Sequence, residues 1–317
     1  MKRIGNIYQK ICSLENLRLA DDIARKGKGR QYGIYLHDRN REANLLLLRE
    51  SLIGKTYKTS SYTTFKVFEP KERIVYRLPY FPDRITHHAI MNVLEPVFVS
   101  SFTADTYSCI KGRGIHGAFR SVRKAMRDEA GTRYCLKLDI KKFYPSINHA
   151  VLKSLLRRKI KDTDLLWLLD EIIESAEGLP IGNYLSQYLA NFYLTYFDHW
   201  LKQEKGVKYY FRYADDIVIL SANKEDLHLL LAGITDQLAE LDLEVKDNYQ
   251  IFPVNARSLD FVGYRFYHTH ILLRKSIKQR FARAAKRGNP QSMAAYLGWA
   301  KHCNASHLIQ KFINQSS

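Results

Sequence analysis

Three aspartates stand at the ends of apolar segments, and this placement constrains the possible folds more than any other feature of the sequence. Asp139 closes a mostly apolar run that begins at Tyr134, while Asp215 and Asp216 separate two further apolar runs within residues 209–220. Short apolar runs bounded by turn residues are typical of buried strands. The later two runs therefore predict a β-hairpin whose tip carries two adjacent carboxylates.

Adjacent carboxylates repel each other, and a like-charged neighbour raises the pKa of a carboxylic acid. A cluster of three aspartates is stable only if a cation compensates the charge. Two divalent ions held by such a cluster can activate a 3′-hydroxyl and stabilise a leaving pyrophosphate. Mg²⁺ suits this chemistry because it takes few carboxylates and completes its shell with phosphates and water. An isolated Asp-Asp pair is more often a solvated turn. The flanking residues therefore decide between a solvated turn and a metal site.

Strand and helix patterns alternate along the rest of the chain. Strands are predicted over 62–67, 73–78 and 259–264, and helices over 42–52, 86–99 up to its proline, 163–175 and 183–201. Two further helices are predicted to begin after the capping residues Asn148 and Asn223. The order of elements between 134 and 264 resembles a split βαβ sheet with helices on one face, which indicates an α+β fold.

Positive charge dominates the sequence and is concentrated towards its C-terminal end. The chain has 50 Lys and Arg against 32 Asp and Glu, a formal net charge of +18, and Asp260 is its last acidic residue. The segment from about residue 267 onward is predicted to be a separate, mostly helical module, with Ser292 as the cap of its second helix. Such a segment would repel itself unless it lay along phosphates, so we expect a nucleic-acid partner.

Membrane insertion and disulfide bonding are not expected. No apolar run approaches the roughly 18 residues that a membrane span requires, and the first residues lack the apolar stretch of a signal peptide. The four cysteines, at positions 12, 109, 135 and 303, show no close pairing, which is typical of proteins in a reducing cytosol. We therefore expect a cytoplasmic protein without a membrane partner.

The residues around the three aspartates are similar to the catalytic motifs of reverse transcriptases. Residues 211–220 contain Tyr-Ala-Asp-Asp and resemble the catalytic hairpin of that family, while residues 138–147 resemble its first catalytic motif. The resemblance implies a right-hand polymerase fold of class α+β, with fingers, a ferredoxin-like palm containing an antiparallel sheet, and a helical thumb. It also implies RNA-directed DNA synthesis with two Mg²⁺ ions, in which Asp139, Asp215 and Asp216 are the catalytic and metal-binding residues.

The resemblance covers nearly the whole chain and implies three regions. These are the N-terminal extension and fingers (1–130), the palm (131–266) with inserted fingers helices at about 150–176, and the basic helical thumb (267–317). The residues implied to bind the dNTP are Lys71, Arg73, Tyr144, Ile181 and Gly182, with Tyr144 as an aromatic gate beneath the sugar. The implied primer grip comprises Phe261, Gly263 and Tyr264, and further nucleic-acid contacts would come from Arg274, Lys275, Lys278, Arg280 and Arg283.

One motif departs from the usual pattern of the family. Most reverse transcriptases carry Gln-Gly-x-x-x-Ser-Pro before a long palm helix, whereas residues 181–187 read Ile-Gly-Asn-Tyr-Leu-Ser-Gln. Isoleucine at the first position and glutamine at the last resemble the reverse transcriptases of diversity-generating retroelements. That resemblance implies error-laden cDNA, with errors mostly opposite adenine, copied from a template RNA. It also implies two kinds of partner, the RNA/DNA primer–template duplex and a small basic accessory protein that forms a pentamer.

Two other interpretations remain open from the sequence. The first is another bacterial reverse transcriptase, from a retron, an intron or a defence system, which the Ile181 and Gln187 pair disfavours. The second is a non-catalytic RNA-binding scaffold with a polymerase fold. An inactive scaffold has no need for three repelling carboxylates, so their presence argues against it. For Tyr144 and Ile181, ordinary packing in the core is the alternative to a role at the nucleotide.

Overall fold

The computed structural model describes residues 3–68 and 72–313, and it divides them into two compact units. Unit 1 comprises the described residues of Met1–Thr103, Lys141–His199 and Gln237–Glu244. Unit 2 comprises those of Ala104–Ile140, Trp200–Asp236 and Val245–Ser317. Each unit is therefore assembled from segments that are far apart in the sequence. Within the described residues, no helix combines the length and the hydropathy that a bilayer span requires.

Helices make up most of the described chain. They are α1 (Tyr8–Ile11), α2 (Leu14–Ala24), α3 (Tyr32–Asp38), α4 (Arg41–Ile53), α5 (Ile85–Ser101), α6 (Gly114–Ala125), α7 (Phe143–Ser146), α8 (His149–Lys159), α9 (Thr163–Ile173), α10 (Tyr184–Tyr193), α11 (Thr195–His199), α12 (Lys224–Ala239), α13 (Lys275–Arg287), α14 (Pro290–Ala300) and α15 (Ser306–Ile313). Wider helical turns cover Tyr80–Arg84 and Trp200–Glu204.

The strands form antiparallel sheets. They are β1 (Thr63–Phe68), β2 (Glu72–Arg77), β3 (Tyr134–Asp139), β4 (Tyr209–Tyr213), β5 (Asp216–Ser221), β6 (Gln250–Pro253), β7 (Leu259–Phe261), β8 (Tyr264–Phe266) and β9 (Ile271–Leu273). In unit 1, β1 pairs with β2. In unit 2, one sheet has the order β4-β5-β3-β6 and another the order β7-β8-β9. The predicted hairpin at residues 209–220 is confirmed as β4 and β5.

Two helices start where the sequence predicted them. Asn148 Oδ1 accepts hydrogen bonds from the backbone N–H groups of Ala150 (2.8 Å) and Val151 (3.2 Å). These bonds satisfy donors in the first turn of α8 that have no partner within the helix. Helix α12 likewise begins at Lys224, directly after Asn223, whose side chain donates to Asp226.

Two helix boundaries differ from the predictions. Helix α5 continues through Pro96 to Ser101, whereas the sequence predicted an end at the proline. A proline removes one hydrogen-bond donor from a helix interior, but Leu94 and Phe98 are fully buried and their packing holds α5 together. The predicted helix 183–201 is divided at Leu194, where the backbone leaves the helical region between α10 and α11.

The predicted strand 259–264 is in fact a hairpin. Val262 and Gly263 connect β7 to β8 with positive φ angles of 41° and 89°. A Cβ atom on Gly263 would collide with the ring of Trp299 and lie 2.7 Å from Ile277 Cδ1. Glycine therefore fits this turn because any side chain would be strained by both the dihedral angle and the close packing.

The predicted helical module begins later than residue 267. Strand β9 follows that position and pairs with β8, so the helical part starts at Lys275. Ser292 is not the cap of α14. Asn289 accepts a hydrogen bond from the backbone N–H of Ser292 (2.9 Å) instead, because Pro290 already fits the first helical position, where no N–H is needed.

Strand β3 is an inner strand of the larger sheet of unit 2. Its side chains alternate between the two faces, so Leu136 and Leu138 are fully buried while Lys137 and Asp139 are half-buried on the other face. An apolar cluster joins the sheets to the helices of the same unit. Its largest members include Phe119, Phe252, Tyr264 and Phe281, which come from α6, β6, β8 and α13.

Unit 1 is organised around α5, which packs against α1, α2 and α10. A fully buried carboxylate, Asp21, holds neighbouring elements together by accepting hydrogen bonds from Tyr80, Arg25 (2.6 Å) and Arg41 (2.5 Å). Burial alone would raise the pKa of Asp21. The hydrogen bonds from these groups, together with His37, whose Nε2 lies 3.6 Å from Oδ2, outweigh burial and hold the pKa of Asp21 well below its usual range.

Candidate active site

The turn between β4 and β5 places two carboxylates side by side. Tyr213 pairs with Asp216 across the hairpin, so Ala214 and Asp215 form a two-residue connection. Ala214 has a φ of 55°, a left-handed conformation that is uncommon for residues other than glycine. Its carbonyl accepts a hydrogen bond from Nη1 of Arg212 (3.2 Å), which supports the turn.

Arg212 is a residue that the sequence analysis did not single out. Its side chain is fully buried although it carries a permanent charge. Nη2 donates to Thr106 Oγ1 (3.4 Å), and the backbone of Arg212 bonds to Asp105 and Tyr107. An arginine within an apolar strand could have been recognised from the sequence as a structural residue, because a buried guanidinium requires nearby acceptors.

The third carboxylate reaches the hairpin through the sheet. Strand β3 runs antiparallel to β5, and Asp139 is the direct register partner of Asp216. The backbone N–H of Ile140 donates to the carbonyl of Asp215 (3.3 Å), which continues the pairing beyond the strand ends. The structure therefore brings together the three aspartates that the sequence predicted.

Two lysines contact these carboxylates. Lys246 Nζ lies 3.5 Å from Oδ1 of Asp139 and 3.9 Å from Oδ2 of Asp215. Lys137 Nζ lies 3.5 Å from Oδ1 of Asp216. Strand alternation places Lys137 on the same face as Asp139, so this contact was predictable in principle. Lys246 lies in the connection between α12 and β6, and only the tertiary structure places it here.

The acidity of Asp216 is altered by its surroundings. Burial, with further contributions from the negative charges of Asp139 and Asp215, raises the pKa of Asp216 to about 6, and Lys137 and Arg274 oppose this rise. Its Oδ1 atom is buried and accepts no hydrogen bond from any described residue. A buried acceptor of this kind requires a compensating cation.

The donor set suits a hard divalent cation. Carboxylate oxygens are the ligands that Mg²⁺ and similar ions prefer. The buried Oδ1 of Asp216 accepts no hydrogen bond from the described residues, although Lys137 Nζ lies 3.5 Å away. Across residues 3–68 and 72–313, no three Asp, Glu, His or Cys side chains are gathered closely enough to form a ready-made metal site. In this state the lysine ammonium groups lie beside the carboxylates, so Asp139, Asp215 and Asp216 fit a cation that enters in competition with them.

The residues predicted to bind the dNTP lie in unit 1. The carbonyl of Ile181 accepts a hydrogen bond from the backbone N–H of Tyr76 in β2 (2.8 Å). Gly182 has a φ of 120°, and a Cβ atom there would collide with the carbonyl oxygen of Tyr76. Glycine is therefore required where this loop meets β2. Arg73 is exposed on β2, and Lys71 lies outside the described residues.

Tyr144 lies in the short helix α7, also in unit 1. Its side chain is half-buried and its ring makes an edge contact with Phe143 at 5.6 Å. The carbonyl of Tyr144 accepts a hydrogen bond from the N–H of Leu179 (2.9 Å). These contacts fix the backbone beneath the ring, and the role of Tyr144 at the sugar stays a prediction.

The predicted primer grip needs a correction at its side chains. Phe261 and Tyr264 are completely buried in the core of unit 2, and Tyr264 donates a hydrogen bond to the carbonyl of Trp299 (3.0 Å). Large apolar rings serve the core here because strand alternation turns both of them inward. Any contact of this hairpin with a primer must therefore use groups other than these two rings, such as the backbone or the half-buried side chain of Val262.

The residues predicted to contact nucleic acid at 274–283 differ in whether an acidic side chain pairs with them. Arg274 is paired with Asp260 at 2.6 Å, and its backbone N–H donates to the carbonyl of Gly263 (3.0 Å). The remaining predicted residues are exposed and have no acidic partner in the part of the chain that the structure describes: Lys275, Lys278, Arg280 and Arg283. These four cations of α13 form an unneutralised positive surface, whereas Phe281, on the opposite side, is buried.

A second basic surface, in unit 1, was not predicted. Gln31, Tyr32, Tyr76, Arg77, Arg84 and Gly182 line a cavity of about 320 Å³, called here the unit 1 groove. Burial and the neighbouring Arg77 lower the pKa of Arg84, and neither arginine has an acidic partner among the described residues. Tyr32 is 72% exposed and stacks with Tyr35, which is 61% exposed. Exposed aromatic rings beside unpaired cations are typical of single-stranded nucleic-acid sites.

The antiparallel sheet, with three carboxylates at one end, has the architecture of a right-hand polymerase. Solved structures of telomerases share this fold. Telomerase from Candida tropicalis aligns with a TM-score of 0.50 at 12% identity, over 70% of this chain and 50% of that one. Telomerase from Candida albicans, in complex with a fragment of telomeric RNA, gives a TM-score of 0.50 at 12% identity, over 77% and 55%. At this identity the likeness concerns the fold alone.

The sequence comparison defines the family. The pattern described as reverse transcriptase (RNA-dependent DNA polymerase) matches residues 69–266, which is more than half of the chain. The chain therefore belongs to the reverse transcriptase family. The structure places the three predicted aspartates together within the matched range.

The curated relatives include a retron reverse transcriptase and a group II intron-encoded protein. Protein YkfC of Escherichia coli is 27% identical over 175 residues, covering 50% of this chain and 45% of that protein. The Retron Ec73 reverse transcriptase of Escherichia coli is 28% identical over 192 residues, covering 55% and 59%. The group II intron-encoded protein LtrA of Lactococcus lactis is 27% identical over 139 residues, covering 40% and 23%. The chain thus spans about half of YkfC and a quarter of LtrA.

Proposed function

We propose that this protein is an RNA-directed DNA polymerase. The observation that carries the proposal is the arrangement of Asp139, Asp215 and Asp216 at the paired ends of β3 and the β4–β5 hairpin. A scaffold that only binds RNA gains nothing from three like charges in one place. The family membership of residues 69–266 supports the same chemistry.

Asp139, Asp215 and Asp216 would hold two Mg²⁺ ions. Bound there, the ions would supply Lewis-acid activation of the 3′-hydroxyl and stabilisation of the leaving pyrophosphate. Within the protein, Arg212 holds the turn that carries Asp215, through its bond to the Ala214 carbonyl. Lys246 lies between Asp139 and Asp215 and offsets their repulsion. The side chains are thus positioned before the substrate arrives, which lowers the cost of reorganisation.

Two surfaces would hold the nucleic acid. The exposed cations of α13 would contact the phosphates of the primer–template duplex, since they have no acidic partner within the described residues. The unit 1 groove would hold single-stranded template RNA, with Tyr32 stacking on a base and Arg77 and Arg84 contacting phosphates. Tyr144 would act as the gate that rejects ribonucleotides, and incorporation of rNTPs by Tyr144→Ala measures this role.

For the subclass we propose a diversity-generating retroelement reverse transcriptase. The support is the pair Ile181 and Gln187, which departs from the usual motif as that subclass does. The protein would copy a template RNA into cDNA with errors opposite adenine, together with a small basic accessory protein that forms a pentamer. Retron and group II intron relatives are compatible with the alternative, another bacterial reverse transcriptase.

The test is extension of a DNA primer on an RNA template, followed by sequencing of the product. We expect wild-type protein to extend the primer and Asp215→Ala to lose extension while RNA binding is retained. Asp236→Ala, at an exposed acidic position on α12, is the matched control and should remain active. Extension by Asp215→Ala near the wild-type rate would refute the polymerase proposal. Accurate cDNA opposite adenine would refute only the subclass.

A further inference from the structure

Lys137 is a half-buried lysine in the middle of the catalytic strand β3. It pairs in register with Val218 of β5 on one side and with Gln250 of β6 on the other. Its neighbours in sequence, Leu136 and Leu138, point into the core. The side chain of Lys137 therefore stands on the same face of the sheet as Asp139, where it is only 23% exposed.

The ammonium group of Lys137 has two contacts that belong to different sheets. It lies 3.5 Å from Oδ1 of Asp216, the buried oxygen that accepts no hydrogen bond from the described residues. It also donates a hydrogen bond to the backbone carbonyl of Asp260 in β7. One charged group thus joins the sheet β4-β5-β3-β6 to the sheet β7-β8-β9.

Asp260 is bound through its side chain as well as through its backbone carbonyl. The carboxylate of Asp260 is bound by Arg274, with Nε and Nη2 both 2.6 Å from Oδ1. The backbone N–H of Arg274 in turn donates to the carbonyl of Gly263, at the tip of the β7–β8 hairpin. Arg274 thus binds the side chain of Asp260, while Lys137 binds the backbone carbonyl of Asp260 and lies beside Asp216.

We propose that Lys137 is a positioning residue that fixes the Asp216 carboxylate and the β7–β8 hairpin in one arrangement. The inference rests on the proposed polymerase function, in which that hairpin lies near the primer terminus. A lysine is suited to this task because its three donors reach a carboxylate and a carbonyl together. Without it, Asp216 keeps a buried charge with one compensating partner fewer, and β7 loses its bond to β3.

The first measurement concerns the connection between the sheets. Hydrogen exchange is followed by mass spectrometry on the free protein, without metal, nucleic acid or dNTP. In Lys137→Met we expect the amides of residues 259–266 to exchange about tenfold faster, because a hydrogen bond to a charged donor is lost. The amides of β4 should keep their wild-type exchange rates.

Lys202→Met is a matched control in the same unit. Lys202 is 26% exposed, pairs with Asp105 at 3.2 Å and donates to the carbonyls of Val207 and Lys208. It thus has the same kind of contacts as Lys137, but none of them involves the three aspartates. We expect Lys202→Met to leave the exchange of residues 259–266 and the rate of primer extension unchanged.

The second measurement separates binding from the rate of the reaction. For Lys137→Met we expect kcat for primer extension to fall by about 100-fold while KM for the dNTP changes little, since displaced reacting groups slow the chemical step. Lys137→Arg, which keeps the charge, should recover part of kcat. Unchanged exchange of residues 259–266, or a kcat within about threefold of wild type, would overturn the assignment.

Two further outcomes are informative. If Lys137→Met does not fold, Lys137→Gln decides by the same measurements. It keeps an N–H donor for the Asp260 carbonyl but lacks the charge beside Asp216, so a lowered kcat is expected and an unchanged kcat refutes the assignment. If the wild-type protein does not extend primers, the proposed function fails. The exchange measurement is made without substrates and still decides whether Lys137 joins the two sheets.

Discussion

Asp139 and Asp216 are direct register partners on adjacent antiparallel strands, so the sheet itself holds their carboxylates together. Neither side chain needs a flexible loop to reach the other. Asp215 joins them through the hairpin turn, which the buried Arg212 supports. A cation site built on strands in this way is positioned more firmly than one built on loops.

Lys246 competes with a divalent cation for Asp139 and Asp215. Its ammonium lies 3.5 Å and 3.9 Å from the two carboxylates. We expect Lys246→Met to bind Mn²⁺ about tenfold more tightly than wild type, since a neighbouring positive charge is removed. Titration followed by electron paramagnetic resonance measures this affinity without any turnover. Lys224→Met, at an exposed position of α12, is the control, and equal affinities in all three proteins would contradict the prediction.

Asp216 should contribute a loss of stability to the metal-free protein as the pH rises from 4 to 6. Burial raises the pKa of Asp216 to about 6 in the folded state, whereas the unfolded value is near 3.9. In this interval the Asp216 carboxyl binds more protons in the folded state than in the unfolded state, so its contribution to the free energy of unfolding falls with pH. Asp216→Asn removes this dependence and should be more stable than wild type at pH 7 by on the order of 1 kcal/mol. Urea unfolding in a chelator at both pH values measures the difference, and parallel pH profiles would contradict it.

The exposed face of α13 should bind nucleic acid through phosphates. We expect joint replacement of Lys278, Arg280 and Arg283 by glutamine to weaken binding of the RNA/DNA duplex equally for all sequences. The slope of log affinity against log salt should become less steep, by about 0.9 per lost phosphate contact. Fluorescence anisotropy at several salt concentrations measures both effects. Weakening that depends on sequence would indicate base contacts instead.

Tyr32 should contribute to binding of single-stranded RNA. We expect Tyr32→Ala to weaken that binding by roughly tenfold, because stacking on an aromatic ring contributes about 1–3 kcal/mol per base. Affinity for an RNA/DNA duplex should stay unchanged. Tyr249→Ala, at an exposed tyrosine of unit 2, is the control. A loss of affinity that is equal for single strands and duplexes would argue against a role of the unit 1 groove.

Ile181→Gln should raise the fidelity of cDNA synthesis, most clearly opposite template adenine. The isoleucine side chain has no hydrogen-bond donor or acceptor, so at the proposed nucleotide site it cannot make the bond that glutamine would make. One hydrogen bond contributes about 0.5–1.5 kcal/mol. If the glutamine introduced at position 181 forms this hydrogen bond only with a correctly paired nucleotide, the error rate should fall roughly threefold to tenfold. Sequencing of cDNA made by both proteins on one template RNA measures the rates. An active variant with the wild-type error rate would place the cause of the errors elsewhere.

The strands that carry the three aspartates were predictable because local patterns specify them. Apolar runs ending in aspartate identified β3 and the β4–β5 hairpin, and Asn148 identified the start of α8. Charge together with the helical spacing of its apolar residues identified the basic helical segment that contains α13. In each case the deciding information lies within about ten consecutive residues, which is the range over which side-chain periodicity and capping act.

Tertiary structure decided what local patterns cannot specify. Lys246 reaches Asp139 because its segment pairs with the end of β3, about 100 residues earlier in the chain. Phe261 and Tyr264 were expected at a primer, but the β7–β8 turn directs both rings into the core. Helix α5 continues through Pro96 because burial of its neighbours outweighs one missing hydrogen bond. The sequence determined which residues carry the charge, and long-range packing determined which of those charges meet, because electrostatic contacts depend on distance in space.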